Sequence, residues 1–180
     1  MNITLKTTVA PLDLGTIIDK RGMTTLGNTV VALIRRRTQQ GIDADGDRFI
    51  PYSTRPIYIS RSRGTGARLA PKGGRPSRTG ASVYYAGGYA EYKRLSTGSG
   101  DVNLTLSGQL MRSIRVTKAS ARKVVVQAGG SAIKYAGGVN SRRPFMGVTP
   151  DEVGVLEKVL DAEIRRTIRE AQEAQREQQR

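Results

Sequence analysis

The run Thr149-Pro150-Asp151-Glu152 limits how this chain can fold more than any other stretch. Thr can accept backbone N–H bonds, Pro has the φ that suits the first helical position, and acids in the first turn complement the helix dipole, so the four residues read as a capping box. Val153, Leu156, Leu160, Ile164 and Ile168 follow at helical spacing, which predicts a helix with one apolar face. Beyond Ile168 the sequence EAQEAQREQQR has no apolar stripe wide enough to pack, so residues 169–180 are expected to form an exposed helical or flexible tail.

A second periodic run lies near the other end. Leu14, Ile17, Ile18, Leu26, Val30, Leu33 and Ile34 recur at three- and four-residue steps and predict one helix over about 13–40. Asp13 is its expected N-cap, Arg35, Arg36 and Arg37 sit against the negative end of its dipole, and Gly41 supplies the stop. Gly15, Gly22 and Gly27 each cost ~1 kcal/mol relative to Ala, and a kink is expected near Gly22. Residues 1–10 alternate enough, through Ile3 and Leu5, for a short strand or a docking arm.

After the first helix comes GIDADGDRFIPYSTRP, whose DxDGD core resembles half of a calcium loop. Such a loop needs a bidentate Glu at its twelfth position and a helix after it. Here Thr54 stands at that position, and Pro51 and Pro56 argue against a helix, so the reading is a tight acidic turn with no metal assigned.

From Ser53 to Gly80 the chain carries seven cations (Arg55, Arg61, Arg63, Arg68, Lys72, Arg75 and Arg78) and no acid. Pro and Gly punctuate it throughout, so it reads as an extended basic arm at about 53–80 rather than a packed element. A neutral linker would not need uniform positive charge, and contact with nucleic acid or an acidic neighbouring subunit is the expectation. In ASVYYAGGYAEYKRL, residues Tyr84, Tyr85, Tyr89 and Tyr92 interleave with cations, which fits either base stacking or a subunit interface. The interface reading is preferred because AGG interrupts any regular strand. Further on, DVNLTLSGQLMRSIRV holds a short strand or the start of a helix, with Ser107 capping a short helix through about Ile114. ARKVVVQAGG is a strand centred on Val124–Val126. Ile133 and Tyr135 begin another, ended by Gly137 and Gly138, and VNSRRPFMGV is a turn-rich loop.

The net charge is +15 over 180 residues, and it is uneven. From Thr149 onward there are eight acids against six bases, whereas the preceding 148 residues hold 24 bases against 7 acids. Cys and His are both absent, which removes disulfides, the commonest transition-metal ligands, and the Ser-His-Asp and Cys-His nucleophile sets. No convergent acid–base set can be assembled from what remains, so no enzymatic activity and no cofactor are expected. No apolar run approaches the ~20 residues of a membrane span. MNITLKTTVAPLDLG lacks a basic region followed by an apolar one, which argues against secretion.

Three stretches, in order, resemble the neck, tail-completion or virion-morphogenesis proteins that join heads to tails in tailed bacteriophages. They are GIDADGDRFIPYS after the first helix; VYYAGGYAEYKR followed by DVNLTLSGQLMRSI; and RRPFMGVTPDE leading into the last helix. The resemblance covers about residues 30 to 165. It departs from the family at Phe49, where relatives often carry Trp, and in the length and basicity of the insertion at about 57–80.

The resemblance implies an α+β fold in which a long N-terminal helix and the C-terminal helix pack on a small antiparallel β-sheet. The length suits one domain, expected over 1–168 with the basic arm included, and the resemblance implies a structural virion protein made in the bacterial host cytoplasm, with no catalytic residues. Leu106, Gly108, Leu110 and Ile114 would be structural, and Arg143, Pro144 and Phe145 would fix the loop before the last helix. The expected assembly is a homo-oligomeric ring, hexameric by preference with a twelve-fold ring also open, contacting connector or tail-terminator proteins around the channel for packaged DNA. Partner or DNA contacts are expected at Arg55, Arg61, Arg63, Arg68, Lys72, Arg75, Arg78, Tyr84, Tyr85, Tyr89, Arg142 and Arg143. The other reading that the charge allows is a general nucleic-acid-binding protein using the basic arm.

Overall fold

A computed structural model describes residues 18–61 and 70–179. The proposed strand or arm at 1–10, Asp13, and the arm cations Arg63 and Arg68 lie outside them.

The N-terminal helix α1 spans Lys20–Gln39 and is capped by Asp19, whose carboxylate accepts from the Gly22 N–H at 2.7 Å. This corrects the expected start at 13: Asp19 is extended (φ −80°, ψ 172°), so no continuous helix passes through it. Gly22 falls in the first turn, and α1 runs on unbroken past it to the left-handed Gly41 (φ 77°), the predicted stop. Gly27 has a packing role. A Cβ there would lie 2.7 Å from a methyl of Val116, so its absence lets α1 settle onto the hairpin below.

That hairpin is β4 (Ile114–Ser120) with β5 (Lys123–Ala128), antiparallel, with an irregularity between Val116 and Lys118. It follows α3 (Gln109–Ser113), whose N-cap is the left-handed Gly108 (φ 75°), with no side-chain cap bond, rather than the expected Ser107. Residues 101–108 are irregular, neither strand nor helix.

The strand expected at Ile133–Tyr135 is instead helix α4, Ile133–Arg142, preceded by a 3-10 turn. Ile133 is exposed, while Ala132, Tyr135, Ala136 and Val139 face the core. Counting the alanines reveals a helical i, i+3, i+4, i+7 period that Ile133 and Tyr135 alone disguise as alternation. The predicted loop is accordingly shorter, since 139–142 complete α4.

The last helix, α5 (Pro150–Gln178), starts on the predicted capping box: Thr149 Oγ1 accepts from Glu152 N–H, and Glu152 accepts from Thr149 N–H. It runs antiparallel to α1, joined at one end by Arg37 to Glu152 and at the other by Arg166 to Asp19.

The basic arm is more structured than its composition predicts. Strands β1 (Ile57–Ser60), β2 (Arg75–Pro76) and β3 (Ser82–Tyr85) form an antiparallel sheet in the order β1-β3-β2, and α2 (Gly88–Thr97) follows. Local composition argues against a packed element here, but pairing with β3 satisfies the backbone groups on the inner edges of β1 and β2, and Ile57, Ile59, Val83 and Tyr85 bury one face against Tyr92 and Leu95. The main core is separate: Val31 and Ile34 of α1, Leu110, Met111, Ile114, Val126, Ala136, Phe49 and Phe145 pack together. The architecture is α+β, with long N- and C-terminal helices and small antiparallel sheets.

Candidate interaction surfaces

The register of the arm sheet divides its side chains. Tyr58 pairs with Tyr84 across β1 and β3, and Tyr84 pairs with Arg75 across β3 and β2. Directly opposed residues project to the same face, so Tyr58, Tyr84 and Arg75 form one row on the side away from Tyr92. The two rings lie 5.0 Å apart, and Tyr58 is 64% exposed. Ser60 and Ser82 share this outer face by alternation. Around the sheet, Arg55 precedes β1, Arg61 follows it, and Arg78 lies in the turn after β2; all three side chains are exposed, as are Arg75 and Lys72. No acid occurs between Asp47 and Glu91.

The inner face is a different environment. Tyr85 is fully buried and donates its hydroxyl to the Lys72 carbonyl at 2.9 Å. It therefore makes no surface contact in the folded chain, which corrects its expected role. Tyr89 also turns inward: it is half-buried and meets Tyr52 and Tyr92 edge to face at 5.1 and 5.8 Å. Burial first, then the neighbouring Tyr52, pushes its hydroxyl up to about 12.

Tyr52 sits between two cations, Lys93 Nζ at 4.9 Å and the Arg143 guanidinium at 4.8 Å from its ring centre. Arg143 also donates to the carbonyls of Ile50 and Pro51 at 2.8 Å each, so it fastens the 50–52 segment to the loop before α5 rather than reaching outward. Lys93 is 1% exposed, bonded to the Asp101 carbonyl and to Asn103 Oδ1, and burial pulls its ammonium down to about 8. Arg142 is exposed at the end of α4.

Between the two hydrophobic clusters lies a groove of about 910 Å³, lined by Tyr52, Tyr89, Leu104, Leu106, Tyr135, Arg142 and others. In the acidic turn, Asp43 Oδ1 accepts from the backbone N–H groups of Asp45 and Asp47 at 3.0 and 2.9 Å, and no cluster of three candidate metal ligands occurs among the described residues. No described helix is long and apolar enough to cross a membrane.

The distal half of α5 is the other unusual surface. Every residue from Ile168 to Gln179 is exposed, and near the start of the helix Val153 and Val155 also expose apolar side chains.

Among the described residues, the expected contacts thus separate into a set around the arm sheet, the exposed Arg142 at the end of α4, and an inward set of Tyr85, Tyr89 and Arg143. Sequence reasoning missed Tyr58, whose only signal is its place in the PIYI run, and Tyr52 and Lys93, whose joint role depends on segments far apart in the chain.

No protein-family model, curated protein or solved structure matches the chain. The family resemblance therefore rests on the order of its motifs alone.

Proposed function

We propose that this protein is a structural subunit of the head–tail junction of a tailed phage, acting by ring assembly and contact with connector or tail proteins. The observation that carries this reading is the distal part of α5. At ~1.5 Å per residue the 29-residue helix is ~44 Å long, and its last three turns are exposed throughout. Most helical stability in proteins comes from packing one face against another element, and these exposed turns gain little of it within the described chain. Docking against a neighbouring subunit would supply that packing. The apolar groove beside Tyr52 and the exposed Val153 and Val155 are further surfaces that assembly would cover. The ordered motifs from GIDADGD to RRPFMGV support a neck location by resemblance.

Electron microscopy of particles made without this protein should show separated heads and tails. Normal infectious virions would overturn the reading. Ring formation, sixfold by preference, should be visible in the mass of the protein measured alone and with candidate neighbours.

A further inference from the structure

We infer that the outer face of the arm sheet is a binding platform for single-stranded nucleic acid, with Tyr58 and Tyr84 stacking on unpaired bases and Arg75 holding the backbone. AGG does not interrupt the strand, as composition leads one to expect: β3 ends at Tyr85, and the glycines that follow start α2. Tyr84 is therefore presented on a regular central strand, directly beside Tyr58 on β1.

The makeup of this face favours nucleic acid over a protein partner. By register it carries two tyrosine rings, two serine hydroxyls and an arginine, and no aliphatic side chain. Tyr and Arg also anchor protein interfaces, but there they sit within a packed apolar centre, and this face has no aliphatic side chain to build one. A single strand needs only flat rings for its bases and donors for its phosphates, and hydroxyl and guanidinium groups are such donors. The rings are 5.0 Å apart, one strand spacing, so successive bases of an extended strand can reach them in turn. Exposed Arg55, Arg61 and Arg78 at the ends of the strands and the absence of acids between Asp47 and Glu91 supply a field of one sign. Base pairing would hide the faces that the rings require, so duplex is the poorer ligand. Nothing in this binding mode requires ring assembly, and its failure would leave the assembly reading untouched.

The test is fluorescence anisotropy with the full chain, using labelled oligo(dT), a duplex of equal length, and polyglutamate as competitor. Single strand should bind tighter than duplex, and its affinity should fall with salt at a log–log slope of about −0.7 per phosphate neutralised. Tyr58→Ser with Tyr84→Ser should weaken it about 5- to 150-fold per ring while changing duplex binding little. Tyr58→Phe with Tyr84→Phe keeps the rings and should keep the affinity, which separates stacking from misfolding. Photo-crosslinking of a 5-iodouracil oligonucleotide to the unaltered protein should mark Tyr58 or Tyr84. Crosslinks found only elsewhere, equal binding of duplex, or indifference to loss of both rings would each overturn the inference. Displacement by polyglutamate as readily as by oligo(dT) would do so too, and would point to an acidic protein instead.

Discussion

Replacing Glu152 tests the joint between α1 and α5 most sharply. Arg37 is 5% exposed, yet it carries a charge, and its guanidinium is met by the Glu152 carboxylate and by the carbonyls of Phe145 and Gly147 at 2.9 and 3.1 Å. The same Glu152 oxygen accepts the Thr149 N–H at 2.9 Å, so one side chain both neutralises a buried cation and completes a helix cap. Glu152→Ala should lose the cap, about 1 kcal/mol, and leave Arg37 buried without its counter-charge, roughly 3–5 kcal/mol more. With a urea m-value of about 2 kcal/mol/M, the unfolding midpoint followed by circular dichroism should fall by roughly 2–3 M. A cycle with Arg37→Met isolates the charge. Removing both charges, in Arg37→Met with Glu152→Gln, should cost less than the two single losses added together, because neither variant side chain is then an unpaired ion. A drop below about 1 kcal/mol for Glu152→Ala, or a double variant as weak as the sum, would refute this account of the joint.

Three further outcomes are expected. Gly88 has φ 67° and backs onto the 53–55 segment, where a Cβ would lie 2.6 Å from the Ser53 carbonyl oxygen; Gly98, with φ 80°, faces open space. Gly88→Ala should therefore cost at least about 2 kcal/mol more than Gly98→Ala in urea melts, and equal costs would dismiss the close approach. Burial holds Lys93 at about 8 against an ordinary 10.5, so between those values the unfolded chain keeps a proton that the folded chain has shed. Stability should rise with pH across that window, by at most about 1.4 kcal/mol per unit. The contribution of Tyr89 has the opposite sign: it is complete below 10.0 and lost as pH climbs toward about 12. Lys93→Met should abolish the rise and keep the later fall, and identical pH profiles for the two proteins would clear Lys93 of the effect. Ending the chain after Ile168 should leave the melting temperature of the free subunit nearly unchanged, because the residues removed are exposed. It should prevent ring formation as seen by sedimentation or negative-stain microscopy, and rings of normal size would argue against the distal helix as the assembly contact.

Much of the candidate site was readable as a list of residues but not as a surface. Arg55, Arg61, Arg75 and Arg78 announce themselves by charge in an acid-free stretch, and they are exposed. The tyrosines do not sort themselves. Tyr84 and Tyr85 are neighbours in the chain, and the alternation of β3 sends one outward beside Tyr58 and buries the other completely. Which of them faces out depends on pairing with β1, set by residues more than twenty positions earlier.

The sequence by itself determined the elements whose signals are local. The capping box at Thr149, the stop at Gly41 and the valine strand β5 all rest on chemistry within one or two turns of backbone, where neighbours in sequence are also neighbours in space. Only the tertiary structure decided that α4 is a helix, since its inward face joins Tyr135 and Val139 through Ala132 and Ala136, which carry little hydrophobic signal until the core closes on them. The same holds for Arg35 and Arg37. Placed near the end of α1 they suit its dipole, but the fold uses Arg35 to hold the Met111 and Ile114 carbonyls and Arg37 to hold Glu152. Long side chains can serve either purpose. Which one they serve is settled by the partners that folding brings within reach, and those lie about 75 to 115 residues away in the chain.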